Sequence, residues 1–287
     1  KNIYYQAFGY CTTPEFTFDA DATIDDAPNY GSFLFYGCKY TSFDWHEKWG
    51  RKIPYEAFGS NSLLEEFTIN DNVNNIESYA FAYCYKLDNE KIHFSEDARI
   101  TTLGSYVFSY CYAFKNFTWS KKWGTKISAS TFYYCTALES VNVESPDEDP
   151  STKEVPLMEI GYSAFGYCSK LKSVVLDNKC KFNSEKMKTL NSDYYGTSGN
   201  LFIGCTALES FDWNEQWGTV IPKGCFNGCN KLKNFTMNNK VTVIENSAFK
   251  GCKIFGNHKA CSSSLYRNSR GHPAKLPGGV IYPDHAA

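Results

Sequence analysis

The chain has 287 residues, a formal net charge of −2 and ordinary proportions of apolar and charged residues, which indicates a globular protein and excludes a disordered one. The near-neutral charge balance argues against a nucleic-acid partner, and no apolar run approaches the roughly 18 residues that a membrane-spanning helix needs. The unusual features are an aromatic fraction of 17% and 12 cysteines, which a chain of this length does not need in order to build a core.

A phenylalanine followed three residues later by a cysteine recurs from Phe8 to Cys252. With the aliphatic residues around this pair, the repeating unit reads I-x-x-x-A-F-x-x-C-x-x-L-x-x-V-x-L. Nine of the 12 cysteines and one asparagine fill a single column of this repeat. In chain order the column contains Cys11, Cys38, Asn61, Cys84, Cys111, Cys135, Cys168, Cys205, Cys229 and Cys252.

Each unit predicts one short strand and one tight turn. The V-x-L segment alternates like a half-buried strand, and the A-F-x-x-C-x-x-L segment has the spacing of a short helical or 3-10 turn. One such unit cannot bury its apolar side alone, so neighbouring units must stack. The sequence therefore predicts a solenoid of about ten coils over residues 1–255, mainly β with little helix, with insertions at 144–158 and 177–200 and a cap or tail at 256–287.

This repeat resembles the BspA-like class of leucine-rich repeat over roughly residues 3–255. The clearest copy consists of Ile160, Gly161, Ala164, Phe165, Cys168, Leu171, Val174 and Leu176. The resemblance implies a leucine-rich-repeat solenoid and a surface or secreted protein of bacteria or protists that acts in adhesion and protein binding. The chain departs from the family pattern in lacking a proline after the strand and in its tryptophan loops and insertions.

The cysteine column predicts a ladder of buried thiols that donate hydrogen bonds to the backbone of the turns. Asn61 fits this interpretation because an amide donates as a thiol does, whereas a disulfide could not survive the replacement. Zinc-binding spacing with histidine is absent from the sequence, so no metal site is predicted. Cys225 is interpreted as a core residue, and Cys180 and Cys261, outside the column, are free to form a disulfide.

All six tryptophans lie in three copies of the motif W-x3-W-G, at 45–50, 119–124 and 213–218. One interpretation is a longer coil whose second tryptophan covers the edge of the core, and the other is an aromatic ridge that binds a ligand. The first insertion is acidic, with Asp147, Glu148 and Asp149, but it lacks the spacing of a calcium loop.

Two surfaces are candidate binding sites. A tyrosine directly precedes the column cysteine in several coils, and such a row suits contact with protein or sugar but can equally stack to stabilise the solenoid. These tyrosines are Tyr10, Tyr83, Tyr110, Tyr134 and Tyr167. The outward strand positions form a polar face that includes Asp44, Thr68, Thr118, Asn142, Asp212 and Thr236, and two sequons there make Asn116 and Asn234 candidate N-glycosylation sites.

These features predict a non-catalytic, surface-displayed binding or adhesion module that recognises protein or glycan partners without a cofactor, because no catalytic motif occurs in the sequence. The alternative is a structural protein that assembles head to tail into filaments, with Ile3, Phe8, Phe16 and Phe18 at an uncapped first coil docking on the tail of the next chain. The first ten residues lack the features of a signal peptide, so the chain is expected to be a mature product or a fragment. An extracellular or cell-surface location without membrane insertion is expected.

Overall fold

One long face of the molecule is a row of short parallel strands, one per coil. The computed structural model describes residues 6–12, 32–187 and 199–254. Within these ranges the strands of the long face are β1 (Ser42–Asp44), β3 (Glu66–Ile69), β5 (Ile92–Phe94), β7 (Asn116–Trp119), β9 (Ser140–Val143), β11 (Ser173–Leu176), β12 (Ser210–Trp213) and β14 (Asn234–Met237). Neighbours pair in register, as with Phe117 opposite Val141, so the repeat places each apolar position above its equivalent.

A second, narrower face is built from two-residue strands that end on the aliphatic residue of the repeat. They are β2 (Lys52–Ile53), β4 (Asn75–Ile76), β6 (Thr102–Leu103), β8 (Lys126–Ile127), β10 (Glu159–Ile160), β13 (Val220–Ile221) and β15 (Val243–Ile244). Helical structure among the described residues is limited to α1 (Ser184–Met187) and to 3-10 helices at Glu47–Trp49, Asn89–Lys91, Lys121–Trp123 and Glu215–Trp217. Among the described residues, therefore, no helix is long and apolar enough to cross a membrane.

The core is organised around the repeat phenylalanines, which form one continuous stack from Phe8 to Phe249. Neighbouring rings along this stack have centroids 5.2–6.1 Å apart and nearly parallel planes. The inward strand residues, such as Phe67 and Val141, lie against the stack and are fully buried. Stacking therefore gives each unit the buried surface that it could not make alone.

The turn segments have the predicted i, i+3 spacing but a left-handed backbone at two positions of each turn. In every coil the residues two before and two after the phenylalanine have left-handed backbone, for example Tyr79 and Tyr83 around Phe81, with φ of 60° and 62°. The N–H groups of these three residues donate to the next coil, at 2.9 Å to Ser105 O, 3.0 Å to Val107 O and 2.9 Å to Ser109 O. The predicted i, i+3 turn is present in hydrogen bonds such as that from Cys84 N to Phe81 O at 3.3 Å. It does not continue as a helix because alternate N–H groups donate between coils, whereas a helix directs all of its N–H groups along its own axis.

The sheets of both faces are interrupted along the solenoid. The long face divides into sheets β1-β3-β5, β7-β9-β11 and β12-β14, and the narrow face divides into β2-β4-β6, β8-β10 and β13-β15. The solenoid has about eight complete turns in the described part of the chain, close to the predicted ten, because the first and last turn segments lack a described strand. Ile3, Phe16, Phe18, Cys261 and the predicted tail 256–287 lie outside the described residues.

Candidate binding surfaces

The column cysteines line the inside of the turn face, and the eight after Cys11 donate one hydrogen bond each to the previous coil. The Sγ atoms lie 2.9–3.4 Å from the carbonyl oxygen of the preceding repeat phenylalanine, from Cys38 on Phe8 O to Cys252 on Phe226 O. In the third place of the same ladder, Asn61 Nδ2 makes the equivalent contact with Phe35 O at 3.2 Å. Cys11, in the first described coil, is half-buried. The column is thus a structural element that connects coils and is closed to a ligand.

These thiols are chemically quiet. Burial is the largest cause of the raised pKa of Cys38, to about 11, and of Cys229, to about 12, and it likewise raises the pKa of Cys180, outside the column, to about 11. Cys225 is completely buried, as its interpretation as a core residue requires. No disulfide joins any two of the cysteines in the described part of the chain, and within that part no cluster of side chains could hold a metal ion.

The tryptophan loops belong to the core. Both tryptophans of every motif are buried, with exposed fractions between 0 and 4%. The second one closes a 3-10 helix, and the following glycine, such as Gly124 with φ of 78°, has a backbone conformation that side-chain-bearing residues rarely adopt. A Cβ atom there would also lie 2.4 Å from Ile100 O. The aromatic-ridge interpretation is therefore wrong, because the rings are inaccessible to a ligand.

The acidic insertion is held by lysines of neighbouring coils and by its own backbone. Lys121 Nζ lies 2.8 Å from Asp147, and Lys179 Nζ lies 3.1 Å from Glu148. Asp149 accepts the hydroxyl and N–H groups of Ser151, and these hydrogen bonds lower the pKa of its carboxyl group. Its acidic groups are therefore engaged within the protein.

The row of tyrosines occupies the left-handed position directly before the column residue. Four coils have glycine there, at Gly37, Gly204, Gly228 and Gly251, and one has serine, Ser60. The other five have Tyr10, Tyr83, Tyr110, Tyr134 and Tyr167, with φ between 59° and 62°. Left-handed backbone costs a residue with a side chain roughly 1–2 kcal/mol. The large ring is therefore present at a position where backbone energy alone favours glycine.

Four of these five tyrosines form one stack on the surface. Their centroids are 4.5 Å apart for Tyr83 and Tyr110, 5.0 Å for Tyr110 and Tyr134, and 4.7 Å for Tyr134 and Tyr167. Tyr10 is separate, 63% exposed and edge-on to Tyr36. Stacking of this kind contributes about 0.5–1.5 kcal/mol per pair, which is comparable to the backbone cost.

Further tyrosines outside the row before the column residue extend the stack into a wide patch. Tyr85 stacks on Tyr112 with centroids 5.1 Å apart, and Tyr79 stacks on Tyr106 at 4.7 Å. Their signal in the sequence is recurrence at the position after the column cysteine and at the position two before the phenylalanine. We define the tyrosine face as Tyr79, Tyr83, Tyr85, Tyr106, Tyr110, Tyr112, Tyr133, Tyr134 and Tyr167.

The tyrosine face is partly open to solvent and borders a groove. Tyr83, Tyr85 and Tyr112 are 37–41% exposed. Burial and neighbouring hydroxyls raise the pKa of Tyr133 to about 12, so its phenol stays a neutral hydrogen-bonding group in ordinary conditions. The groove has a volume of about 470 Å³, and Tyr106 and Tyr162 line it together with several serines. Apolar rings beside hydroxyl groups are the combination that binds amphipathic ligands.

The polar strand positions lie on the outer side of the long face. Asp44, Thr118, Asn142, Asp212 and Thr236 are exposed, and Thr68 is half-buried. Register brings Asp44 beside Thr68, Thr118 beside Asn142, and Asp212 beside Thr236. Of the two sequon residues, Asn116 is exposed and accepts a hydrogen bond from Ser140 Oγ at 2.8 Å, and Asn234 is exposed on β14. This face is polar but contains few large side chains.

A stack of parallel coils, each with one strand and one turn, defines a leucine-rich-repeat solenoid. The sequence profile of the BspA-type leucine-rich repeat family matches residues 1–111, 28–149 and 101–265, in six copies. The chain belongs to that family. A comparison with curated proteins finds no match.

Two solved structures show the same fold. A leucine-rich repeat protein from Bacteroides ovatus has a TM-score of 0.51 and 21% identity, with 81% of this chain and 62% of that chain covered. A leucine-rich repeat protein from Eubacterium ventriosum has a TM-score of 0.53 and 17% identity, with 86% and 71% covered. The chain thus spans less than two thirds of the length of the Bacteroides ovatus protein.

Proposed function

We propose that this protein is a non-catalytic binding module, displayed at the cell surface or secreted, that recognises a protein or glycan partner through the tyrosine face. The observation that carries the proposal is the surface stack of Tyr83, Tyr110, Tyr134 and Tyr167, the first exposed and the others half-buried, at left-handed positions where other coils have glycine. Membership of the BspA-type family supports a repeat protein that acts by binding.

The chemistry of the patch favours recognition over catalysis. Tyrosine offers a large rigid contact area with little loss of side-chain entropy, and its hydroxyl group adds a hydrogen bond at the rim of the contact. The rings are preorganised because each is held between its neighbours, so a partner does not have to order them. A flat aromatic surface of this kind suits the apolar side of a sugar ring or the side chains of a protein.

The test is a binding screen on an array of glycans and extracellular-matrix proteins, followed by substitutions in the tyrosine face. Tyr85→Ser combined with Tyr112→Ser removes two exposed rings that do not have left-handed backbone. We expect this variant to stay folded, with a free energy of unfolding lower by about 0.5–1.5 kcal/mol from the lost stack, and to lose at least tenfold in affinity for any partner found. The control is Thr118→Ala with Asn142→Ala on the polar long face, which should bind normally.

Two results would count against the proposal. One is the absence of any partner on the array, and the other is a partner whose affinity falls in the long-face variant while the tyrosine variant binds as the parent does. The second result would move the site to the polar strand residues.

A further inference from the structure

The groove of about 470 Å³ beside the tyrosine face lies where the turn segments meet the narrow face. Most of its lining comes from three successive coils, those of β6, β8 and β10. In these coils the residue that follows the narrow strand is small, at Gly104, Ser128 and Gly161. In the coils of β2, β4, β13 and β15 the equivalent residue is proline or glutamate, at Pro54, Glu77, Pro222 and Glu245. Small side chains in three neighbouring coils therefore leave the groove open.

The stack of Tyr79 and Tyr106 ends at this groove. Both tyrosines occupy the left-handed position two before the repeat phenylalanine, with φ of 60° and centroids 4.7 Å apart. The same position in the next coil is Ser130, with φ of 54°, so the stack has no third ring. Tyr133 approaches Tyr106 edge-on at 6.1 Å and does not line the groove. Among the described residues, Tyr106 therefore has a stacked neighbour on the Tyr79 side alone.

Tyr162 lines the opposite end of the groove, one coil beyond Ser130. Asn200 Nδ2 donates to its hydroxyl group at 2.7 Å, which fixes the position of the ring. The coils of Tyr106 and Tyr162 are two steps apart, about 9–10 Å at the usual spacing of about 4.8 Å between strands. Atoms in contact are separated by about 4 Å. The space between the two coils therefore suits one six-membered ring and is too narrow for two.

Serine hydroxyl groups lie between these tyrosines. Ser130 is only 1% exposed, yet it lines the groove. Its Oγ makes no hydrogen bond within the described part of the chain, and it is not among the atoms that protein encloses. Ser105 uses its N–H on Ser78 Oγ and has its own hydroxyl group available, whereas Ser128 Oγ donates to Leu103 O at 2.6 Å. A nearly buried hydroxyl group that opens only to the groove is positioned to bond what enters it.

The backbone beneath the groove is already hydrogen-bonded between coils. Tyr106 N donates to Ala129 O at 2.9 Å, and Ser130 N donates to Tyr162 O at 2.8 Å. A peptide that binds by strand addition needs a free backbone edge, and these coils do not offer one. The single charged residue of the lining is Lys126, which disfavours a cationic ligand. The groove thus presents aromatic rings and serine hydroxyl groups.

We propose that this groove is a second binding site, separate from the exposed rings that carry the proposed function, and that it takes one pyranose ring of a neutral or acidic oligosaccharide. The C–H faces of the sugar pack on Tyr106 and Tyr162, and its hydroxyl groups bond to Ser105 and Ser130. A pyranose has apolar faces and a polar rim, as this lining requires. The aromatic side chain of a peptide matches the tyrosines but leaves the serine hydroxyl groups unpaired.

The test is saturation-transfer NMR on the full chain with trisaccharides that end in glucose, galactose, mannose, N-acetylglucosamine or N-acetylneuraminic acid. N-acetyltyrosine amide serves as the probe for a peptide side chain. We expect at least one trisaccharide to bind saturably and more tightly than the tyrosine probe. Binding of no trisaccharide, or of the tyrosine probe alone, would overturn the proposal.

The repeat provides a variant that fills the groove. Ser130→Tyr adds a third ring to the stack, at a position where Tyr79 and Tyr106 show that left-handed backbone accepts tyrosine. We expect it to weaken binding of the trisaccharide at least tenfold. The matched control is Ser247→Tyr, because Ser247 has φ of 59° at the equivalent position of the last described coil and does not line the groove. Equal affinities of the two variants would refute the site.

A smaller change decides the case if Ser130→Tyr does not fold. Ser130→Ala removes only the hydroxyl group, and we expect it to lower the affinity about threefold or more. An unchanged affinity would remove Ser130 from the site and overturn the proposal.

The exposed rings are tested separately. The variant Tyr85→Ser with Tyr112→Ser leaves the groove intact and should bind the trisaccharide as the parent does. Loss of binding in that variant, with normal binding by Ser130→Tyr, would place the sugar on the exposed rings. That result would refute the groove site and support the tyrosine face, so the two proposals fail independently.

Discussion

Asn61 Nδ2 lies 3.2 Å from Phe35 O, in the place where a cysteine thiol contacts the same carbonyl in other coils. Both residues are completely buried, and Asn61 Oδ1 has no hydrogen-bond partner among the described residues. The asparagine therefore satisfies one carbonyl at the expense of an unpaired oxygen. A thiol makes the same donation and does not carry that second polar group.

Asn61→Cys should therefore be neutral or stabilising, and Asn61→Ala should be destabilising. Removing the unpaired oxygen relieves a desolvation penalty of about 1–3 kcal/mol. Alanine loses the hydrogen bond to Phe35 O, which keeps only the one from Cys38 N, at a cost of about 0.5–1.5 kcal/mol, and it also leaves a cavity. Urea unfolding followed by circular dichroism measures the free energies of both variants under reducing conditions. If alanine proves more stable than cysteine at this position, the hydrogen-bonded ladder is not what stabilises the turns.

At Tyr110 the usual stability order of alanine and glycine should be reversed. Its φ of 62° is left-handed, and both neighbours in the stack lie within 5.0 Å. Tyr110→Gly and Tyr110→Ala both lose the stacking contacts, but alanine also keeps the backbone cost, so we expect it to be less stable by about 1 kcal/mol. Thermal and urea unfolding check the order. Equal stabilities would mean that the backbone relaxes out of the left-handed region.

The tryptophan loops differ in their hydrogen bonds, so the same substitution of tryptophan by phenylalanine should lower the free energy of unfolding by different amounts. Trp119 Nε1 donates to Gly124 O at 3.0 Å, whereas Trp45 Nε1 is buried with no hydrogen-bond partner among the described residues. Trp119→Phe loses a hydrogen bond, and Trp45→Phe removes an unsatisfied donor, so the first should be more destabilising by about 1 kcal/mol or more. Unfolding free energies of the two variants provide the measurement. The reverse order would contradict the assigned hydrogen bonds.

Alkaline pH should unfold the protein steeply. The buried thiols have pKa values raised above the ordinary 9.0, to about 11 for Cys38 and Cys180 and about 12 for Cys229. The unfolded chain therefore loses these protons first, so the stabilisation is complete below pH 9 and is lost as the pH rises from 9 through 11. Each thiol removes about 1.4 kcal/mol per pH unit in this window.

The measurement is urea unfolding between pH 7 and 10.5 with a reductant present. Cys180→Ala is the control. Its overall stability should be lower, but the slope of its free energy of unfolding against pH should be smaller by the contribution of one proton. A free energy of unfolding that stays constant up to pH 10.5 would show that the thiols are accessible in the folded state.

Much of the architecture follows from the sequence alone, because equivalent residues of successive repeats become neighbours when the coils stack. A column such as that of Phe81 and Cys84 must align with its equivalents once the coils stack, so the strands, the buried face and the solenoid were predictable. The conformation of the turns was not, because an i, i+3 pattern is compatible with both a helical turn and the left-handed turns seen at Tyr79 and Tyr83. Hydrogen bonds between coils decided between them.

The binding surfaces divide in the same way. Spacing singled out the tyrosine row from Tyr83 to Tyr167, but only the tertiary structure showed that Tyr85 and Tyr112 join it and that the tryptophans are buried. The break between β11 and β12 could not be inferred from sequence, because both strands carry the repeat pattern and only the hydrogen bonds of the folded chain show that they do not pair. Local pattern determines which residues are equivalent, whereas an insertion's position among the coils is fixed by packing.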